Sequence, residues 1–208
     1  MRPSDIITAA FRDTLKPYLL EHGFQAQGTT FVRAAGETTQ TVEIQRHGVG
    51  GAQGMVYLNG RIHVVAVDEL LSRAESPGFA RLPCVILFRP HQLDQSIETP
   101  IHITQASDPG EVAAEAVRGI DVLLAKMATI TTTADAVDHL SGLKLTSYEG
   151  VFAWYLEHGQ LDRARAFVTG LHQHFGAQPR WEKLAPRIDA VAAEVLPDTP
   201  WRTWLISS

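Results

Sequence analysis

Residues 42–65, VEIQRHGVGGAQGMVYLNGRIHVV, carry the pattern that decides the fold. Two runs of alternating apolar and polar residues flank a glycine-rich loop, and a period of two marks a half-buried strand. In the first run Val42 and Ile44 share one face, while Glu43 and Gln45 share the other. In the second, Val56, Leu58, Ile62 and Val64 have one parity, and Tyr57, Asn59, Arg61 and His63 the opposite one. Gly60 interrupts this run and predicts a bulge, which would displace the parity by one residue. The intervening HGVGGAQG leads from strand to strand. A phosphate-binding loop leads from strand to helix, because the helix N-terminus supplies the converging N–H groups, and its P-loop form ends in Gly-Lys-Ser/Thr. The loop has neither feature, so it reads as the mobile tip of a β-hairpin.

Upstream of the hairpin, Ser4 has the side chain of an N-cap. Ile6, Ile7, Ala10, Phe11, Leu15, Tyr18 and Leu19 then recur at helical spacing, which predicts an amphipathic helix over 4–21. Pro17 should kink it or start its last turn as a separate piece, and Gly23 ends it. The stretch GTTFVRAAG predicts a short strand closing at Ala35 and Gly36. Downstream, residues 68–83 read as a connector with a helical turn in DELLSRA. PCVILF and TPIHIT read as two more strands separated by a polar loop. Asp108 followed by Pro109 is a helix start, and the helix should run about five turns. Further helices are expected at about 132–141, 146–158, 160–175 and 179–195, punctuated by Gly142, Gly159, Gly176 and Pro197. The expected architecture is α+β: an N-terminal helix on an antiparallel sheet of four or five strands, then a C-terminal bundle of four or five helices. The expected boundary lies between 1–107 and 108–208, with the two parts sharing one core because the connector around Ser107 is too short to be a free linker.

Composition narrows the classes of function. The chain has 208 residues, 45% of them hydrophobic, and a net charge of −5. Residues 1–90 hold nine basic and eight acidic side chains, whereas 91–208 hold nine and fifteen. No basic stripe is visible, which argues against nucleic acid as a partner. No apolar run approaches the roughly 20 residues a membrane span needs. The N-terminus, with Asp5, Arg12 and Asp13 interrupting its apolar residues, does not read as a signal peptide. A cytoplasmic protein is the expectation. The single cysteine, Cys84 in LPCVILF, excludes an intramolecular disulfide and reads as a small buried hydrophobe.

Chemistry-bearing motifs are scarce. There is no GxSxG elbow and no HExxH. His172 and His174 stand two apart on an expected helix and diverge, whereas ligands on one helix need three or four. His47, His63, His91 and His102 lie in or beside expected strands, but their spacing predicts no metal site, and no cofactor is implied. The least ordinary group is the outward stripe Glu43, Gln45, Tyr57, Asn59, Arg61 and His63, which could form a polar groove for a small ligand or peptide, with Arg33 joining if its strand pairs alongside. Arg61 would be the charged anchor, and Asn59 and Tyr57 would orient the ligand. Two classes stay open. One is a non-enzymatic binding or protein-interaction module, of the immunity or adaptor type. The alternative is a small hydrolase or transferase using Glu43, Arg61 and His63. The tail PDTPWRTWLISS is too apolar to remain in water. It should fold back on its own chain; the alternative is docking on a second copy, giving a homo-oligomer.

The order of helix, GFQAQGTTFVR, VEIQR, MVYLNGRI and LPCVILFRPHQL resembles a bacterial family catalogued as domain of unknown function 4304, with Phe24, Gly28, Phe31, Arg33, Val42, Gln45 and Asn59 at the aligned positions. The resemblance implies an α+β domain and brings no activity with it. Separately, YLEHGQLDRARAFVTGL is similar to the hairpin of a tetratricopeptide repeat, with Tyr155, Gly159, Ala164 and Val168 at that repeat's spacing. A single copy implies a local helical hairpin rather than a solenoid.

Overall fold

A computed structural model describes residues 1–48, 51–73, 83–142, 147–198 and 200–205. The chain forms an α+β fold whose contacts divide it into two units, Met1–His63 with Ile86–Thr131, and Val64–Val85 with Thr132–Ser208. This division differs from the boundary expected near residue 107. The long helix after Asp108 packs on the sheet, whereas residues 64–85 join the later helices.

The first unit begins with α1 (Pro3–Ala10), a π-helical turn (Phe11–Leu15) and α2 (Lys16–Glu21). Ser4 is not the cap. Pro3 takes the first helical position, where its missing N–H costs nothing, and Arg2 at the cap position makes no side-chain cap bond. The wide π turn ends just before Pro17, whose ring conflicts with the carbonyl four residues earlier in a regular helix. Ile6, Ile7, Ala10, Leu15 and Leu19 are buried, as their spacing predicts.

Among the described residues one six-stranded sheet forms, ordered β1 (Gln25–Gln27), β2 (Thr30–Ala35), β3 (Thr38–His47), β4 (Gln53–His63) and β5 (Val85–Phe88). The sixth strand, β6 (Ile101–Thr104), also pairs with β4. The pairings β1–β2, β2–β3, β3–β4 and β4–β6 are antiparallel. The strand absent from the expected four or five is β1, three exposed residues with no apolar alternation. The β3–β4 register runs unbroken from Thr39 opposite His63 to His47 opposite Met55, so Gly60 forms no bulge. The glycine is favoured for another reason. Helix α5 (Pro109–Met127) lies on this face, and a β-carbon at Gly60 would come within 3.0 Å of Leu123 Cδ2. Reciprocally, a β-carbon at Gly119 of α5 would lie 2.8 Å from Leu58 Cδ1. Helix α5 starts where the sequence predicts, with Asp108 Oδ1 accepting from the backbone N–H of Gly110 at 2.8 Å and of Glu111 at 3.1 Å. The loop before β6 holds a short helix, α4 (Pro90–Leu93), that no periodicity announces. Residues 49 and 50 of the hairpin loop lie outside the described residues, as do 74–82 of the expected connector.

In the second unit α7 (Tyr148–Glu157) is the hub, contacting α3 (Val65–Arg73), α6 (Thr133–Ser141), α8 (Leu161–Phe175) and α9 (Trp181–Val195). Its sequence, YEGVFAWYLE, is apolar on nearly every side, as a helix surrounded by others must be. Gly150 lets α3 approach, since a β-carbon there would be 2.4 Å from Val67 Cγ1. Gly159, at φ +63°, turns the chain from α7 into α8. The tail forms a short helix, α10 (Trp201–Trp204), which contacts α8. Trp201 is buried and donates its indole N–H to Asp189 at 3.1 Å. The Arg202 guanidinium forks onto the same carboxylate.

Two outcomes follow from this packing. Ala at Gly119 should gain about 1 kcal/mol of helix propensity, but overpacking Leu58 should cost about 1–3 kcal/mol. Urea unfolding should therefore show Gly119→Ala as neutral to destabilising, and Gly60→Ala as destabilising, since no comparable helix propensity offsets its clash. Burial pushes the Cys84 thiol up to about 11, with a bond to Ser147 opposing only in part. A disulfide reagent at pH 8 should leave native Cys84 unlabelled and react fully once the protein is unfolded in urea.

Candidate functional site

The outward face of β3 and β4 is built by alternation. Val42, Ile44, Val56, Leu58 and Ile62 point to the buried face, so Glu43, Gln45, Tyr57, Asn59, Arg61 and His63 point to the other. Register then fixes their neighbours: Glu43 is opposite Asn59, Gln45 opposite Tyr57, Thr41 opposite Arg61, and Thr39 opposite His63. Three of the six side chains meet. Arg61 donates to Glu43 Oε2 at 2.7 Å, and Asn59 Nδ2 donates to the same oxygen at 3.4 Å. Gln45 and Tyr57 form the adjacent rung, and the Tyr57 hydroxyl lies 4.0 Å from Met55 Sδ.

The stripe is a ladder rather than a ring. His63 and Tyr57 are six residues apart on one strand, which separates them by about 20 Å. All six groups therefore do not converge on one small molecule. Arg61 is already engaged by Glu43, and His63 sits beyond it, opposite Thr39.

Arg33 does not join the stripe. It stands opposite Gln40, on the parity of the buried residues, and its guanidinium lies over the Phe24 ring at 4.5 Å. It donates to Gln40 Oε1 at 2.8 and 3.0 Å and to the His22 carbonyl at 2.7 Å. Gln40 is itself fully buried and donates to the carbonyl of Met127, the last residue of α5, at 2.7 Å. The group is a structural tie between β2, β3 and the end of α5, where helix carbonyls lack intrahelical partners.

Pairing of β6 with β4 adds neighbours that no hairpin pattern reveals. Met55 faces His47 on one side and His102 on the other. Among the described residues no three His, Cys, Asp or Glu side chains gather as a metal cage. No described helix is long and apolar enough to cross a membrane. No family model matches the chain, and no curated protein or solved structure matches it either.

The ladder has an asymmetric energetic signature. The Arg61 side chain is 46% exposed, and exposed ion pairs contribute about 0–1 kcal/mol. Asn59 is only 5% exposed, and leaving a buried amide unsatisfied costs about 1–3 kcal/mol. Arg61→Ala should therefore shift the unfolding free energy by less than about 1 kcal/mol. Glu43→Ala should cost more, because it strips the carboxylate from Asn59 as well. Chemical denaturation of both variants measures the difference.

Proposed function

We propose that the chain is a non-enzymatic protein-interaction module of the immunity or adaptor type, acting in the bacterial cytoplasm and presenting the outward face of β3 and β4 to a protein partner. One observation carries this reading: Glu43, Asn59 and Arg61 are bonded to one another, while Gln45, Tyr57 and His63 extend the face along the strands to either side of them. A surface of this kind is preorganised. The Glu43–Arg61 pair is already formed before any partner arrives, so little side-chain entropy is lost on docking. Tyr57 and Gln45 add a broad amphipathic rung, the type of residue enriched at contact surfaces. The enzymatic alternative draws less support, since Glu43 and Arg61, two of the three groups it needs, are already bonded to one another.

Site-specific photocrosslinking tests the proposal. A photoreactive residue at exposed Gln45 should yield a protein adduct of defined mass in cells, whereas one at exposed Leu196 on the helical unit should not. Arg61→Glu should reduce the Gln45 adduct about tenfold or more, equivalent to about 1.4 kcal/mol, without loss of fold. Equal adducts at both positions, or no adduct at Gln45, would overturn the reading.

A further inference from the structure

We propose that His47, Met55 and His102 form a surface site for copper(I). The three lie side by side across β3, β4 and β6, with His47 opposite Met55 and Met55 opposite His102. Residues paired in this way point to the same side of the sheet, and their neighbours confirm which side. Ile101 and Ile103, on either side of His102, are buried, as is Val56 beside Met55. Both histidines are exposed and Met55 is half-buried between them.

Directly opposite β-carbons stand about 5 Å apart, so the two imidazoles rise about 10 Å apart with the thioether midway. Metal–nitrogen bonds are about 2 Å long, and rings leaning inward from both sides can reach an ion held above the Met55 sulfur. The Tyr57 hydroxyl donates weakly to that sulfur at 4.0 Å, and the thioether keeps a second lone pair for a metal.

The donor set selects the ion. A thioether and two imidazoles bring soft and borderline donors with no negative charge, which suits copper(I). Hard divalent cations require carboxylate or carbonyl oxygens. The described rungs on either side supply no carboxylate, guanidinium or ammonium group: Gln45 and Tyr57 form the next on one side, Gln53 and Thr104 the next on the other. The carboxylate of Glu43 is two rungs from His47, about 13 Å along the strand, and is bonded to Arg61. Structural zinc sites draw on four donors that include thiolates, imidazoles or carboxylates, and here there are two imidazoles and a thioether. The strand ladder fixes the three backbones in place, so the site needs only side-chain rotation to close. Its exposure makes it an exchangeable surface site rather than a buried cofactor.

Anaerobic competition of the full chain against a chromophoric copper(I) chelator tests this. One equivalent of copper(I) should be withdrawn from the chelator. Met55→Leu, which conserves volume, should weaken that affinity at least about tenfold, and so should His47→Gln and His102→Gln. His158→Gln, just after α7, should leave it unchanged. Circular dichroism checks that the variants fold. Silver(I), a redox-silent probe, should shift the Met55 methyl resonance in the wild type and leave the other methionine methyls in place. Withdrawal of copper(I) that survives Met55→Leu and His102→Gln would mark an adventitious ion and overturn the proposal, as would no withdrawal at all. Neither result touches the protein-interaction reading, which rests on Glu43, Asn59 and Arg61.

Discussion

Two leucines seated on two glycines hold the first unit in register. Leu123 of α5 sits over Gly60 of β4, and Leu58 of β4 sits over Gly119 of α5, each where a β-carbon would intrude at 3.0 Å or less. The contact is reciprocal, so helix and strand cannot slide past one another without losing both. Leu58 and Leu123 are each at most 2% exposed, and burying such a side chain is worth about 1.5–3 kcal/mol. Because side chains alternate, a one-residue slip of β4 would turn its apolar set to water and its polar set into the core. The glycine–leucine contact thus reinforces the facing that the buried alternation of Val56, Leu58 and Ile62 already favours.

The polar ties around α5 depend on the same seating. Gln40, fully buried, bridges Arg33 and the Met127 carbonyl, and this is consistent only with α5 ending over β3. Nearby, the Glu37 backbone N–H donates to the Thr131 carbonyl at 2.8 Å, and Gly36 turns at φ +61° directly beneath it. A β-carbon at Gly36 would fall 2.4 Å from that carbonyl oxygen, so the turn and the chain leaving α5 fit only with glycine. The β2–β3 hairpin thus supplies further donors to carbonyls at and just after the end of α5.

Local pattern made much of this legible. The alternation of β3 and β4, the Asp108 cap and the helical spacings after it are short-range signals, and the structure has them where the sequence places them. What was misread depended on distant partners. Gly60 looked like a bulge because the leucine that demands it lies in α5, some sixty residues on. Arg33 looked free to join the outward stripe because its pairing with Gln40 sets the opposite parity. The strand β1 carries no burial to betray it, and the assignment of α5 to the sheet follows from packing, not from composition. Of the outward stripe, the alternation identified the members but not the geometry. Register decides that Glu43, Asn59 and Arg61 meet, and it places His63 opposite Thr39.

The pairing of β6 with β4 has the largest consequence for chemistry. Residues 101–104 reach β4 after a non-local connection, and nothing in the IHIT sequence names its neighbour. Once paired, the outward face acquires two electrostatically different regions. Around Glu43 and Arg61 it holds an ion pair; around Met55 the described rungs carry imidazole, thioether, phenol and amide groups. Both regions draw on β3 and β4, with β6 adding His102 to the second, so the packing that keeps Gly60 beneath Leu123 bears on both. A substitution that loosened that contact would act on the two regions together, although neither contains a residue that touches α5 through Gly60. Fold and surface chemistry are coupled here through parity: the strand has only two faces, and the helix on one of them dictates what the other displays.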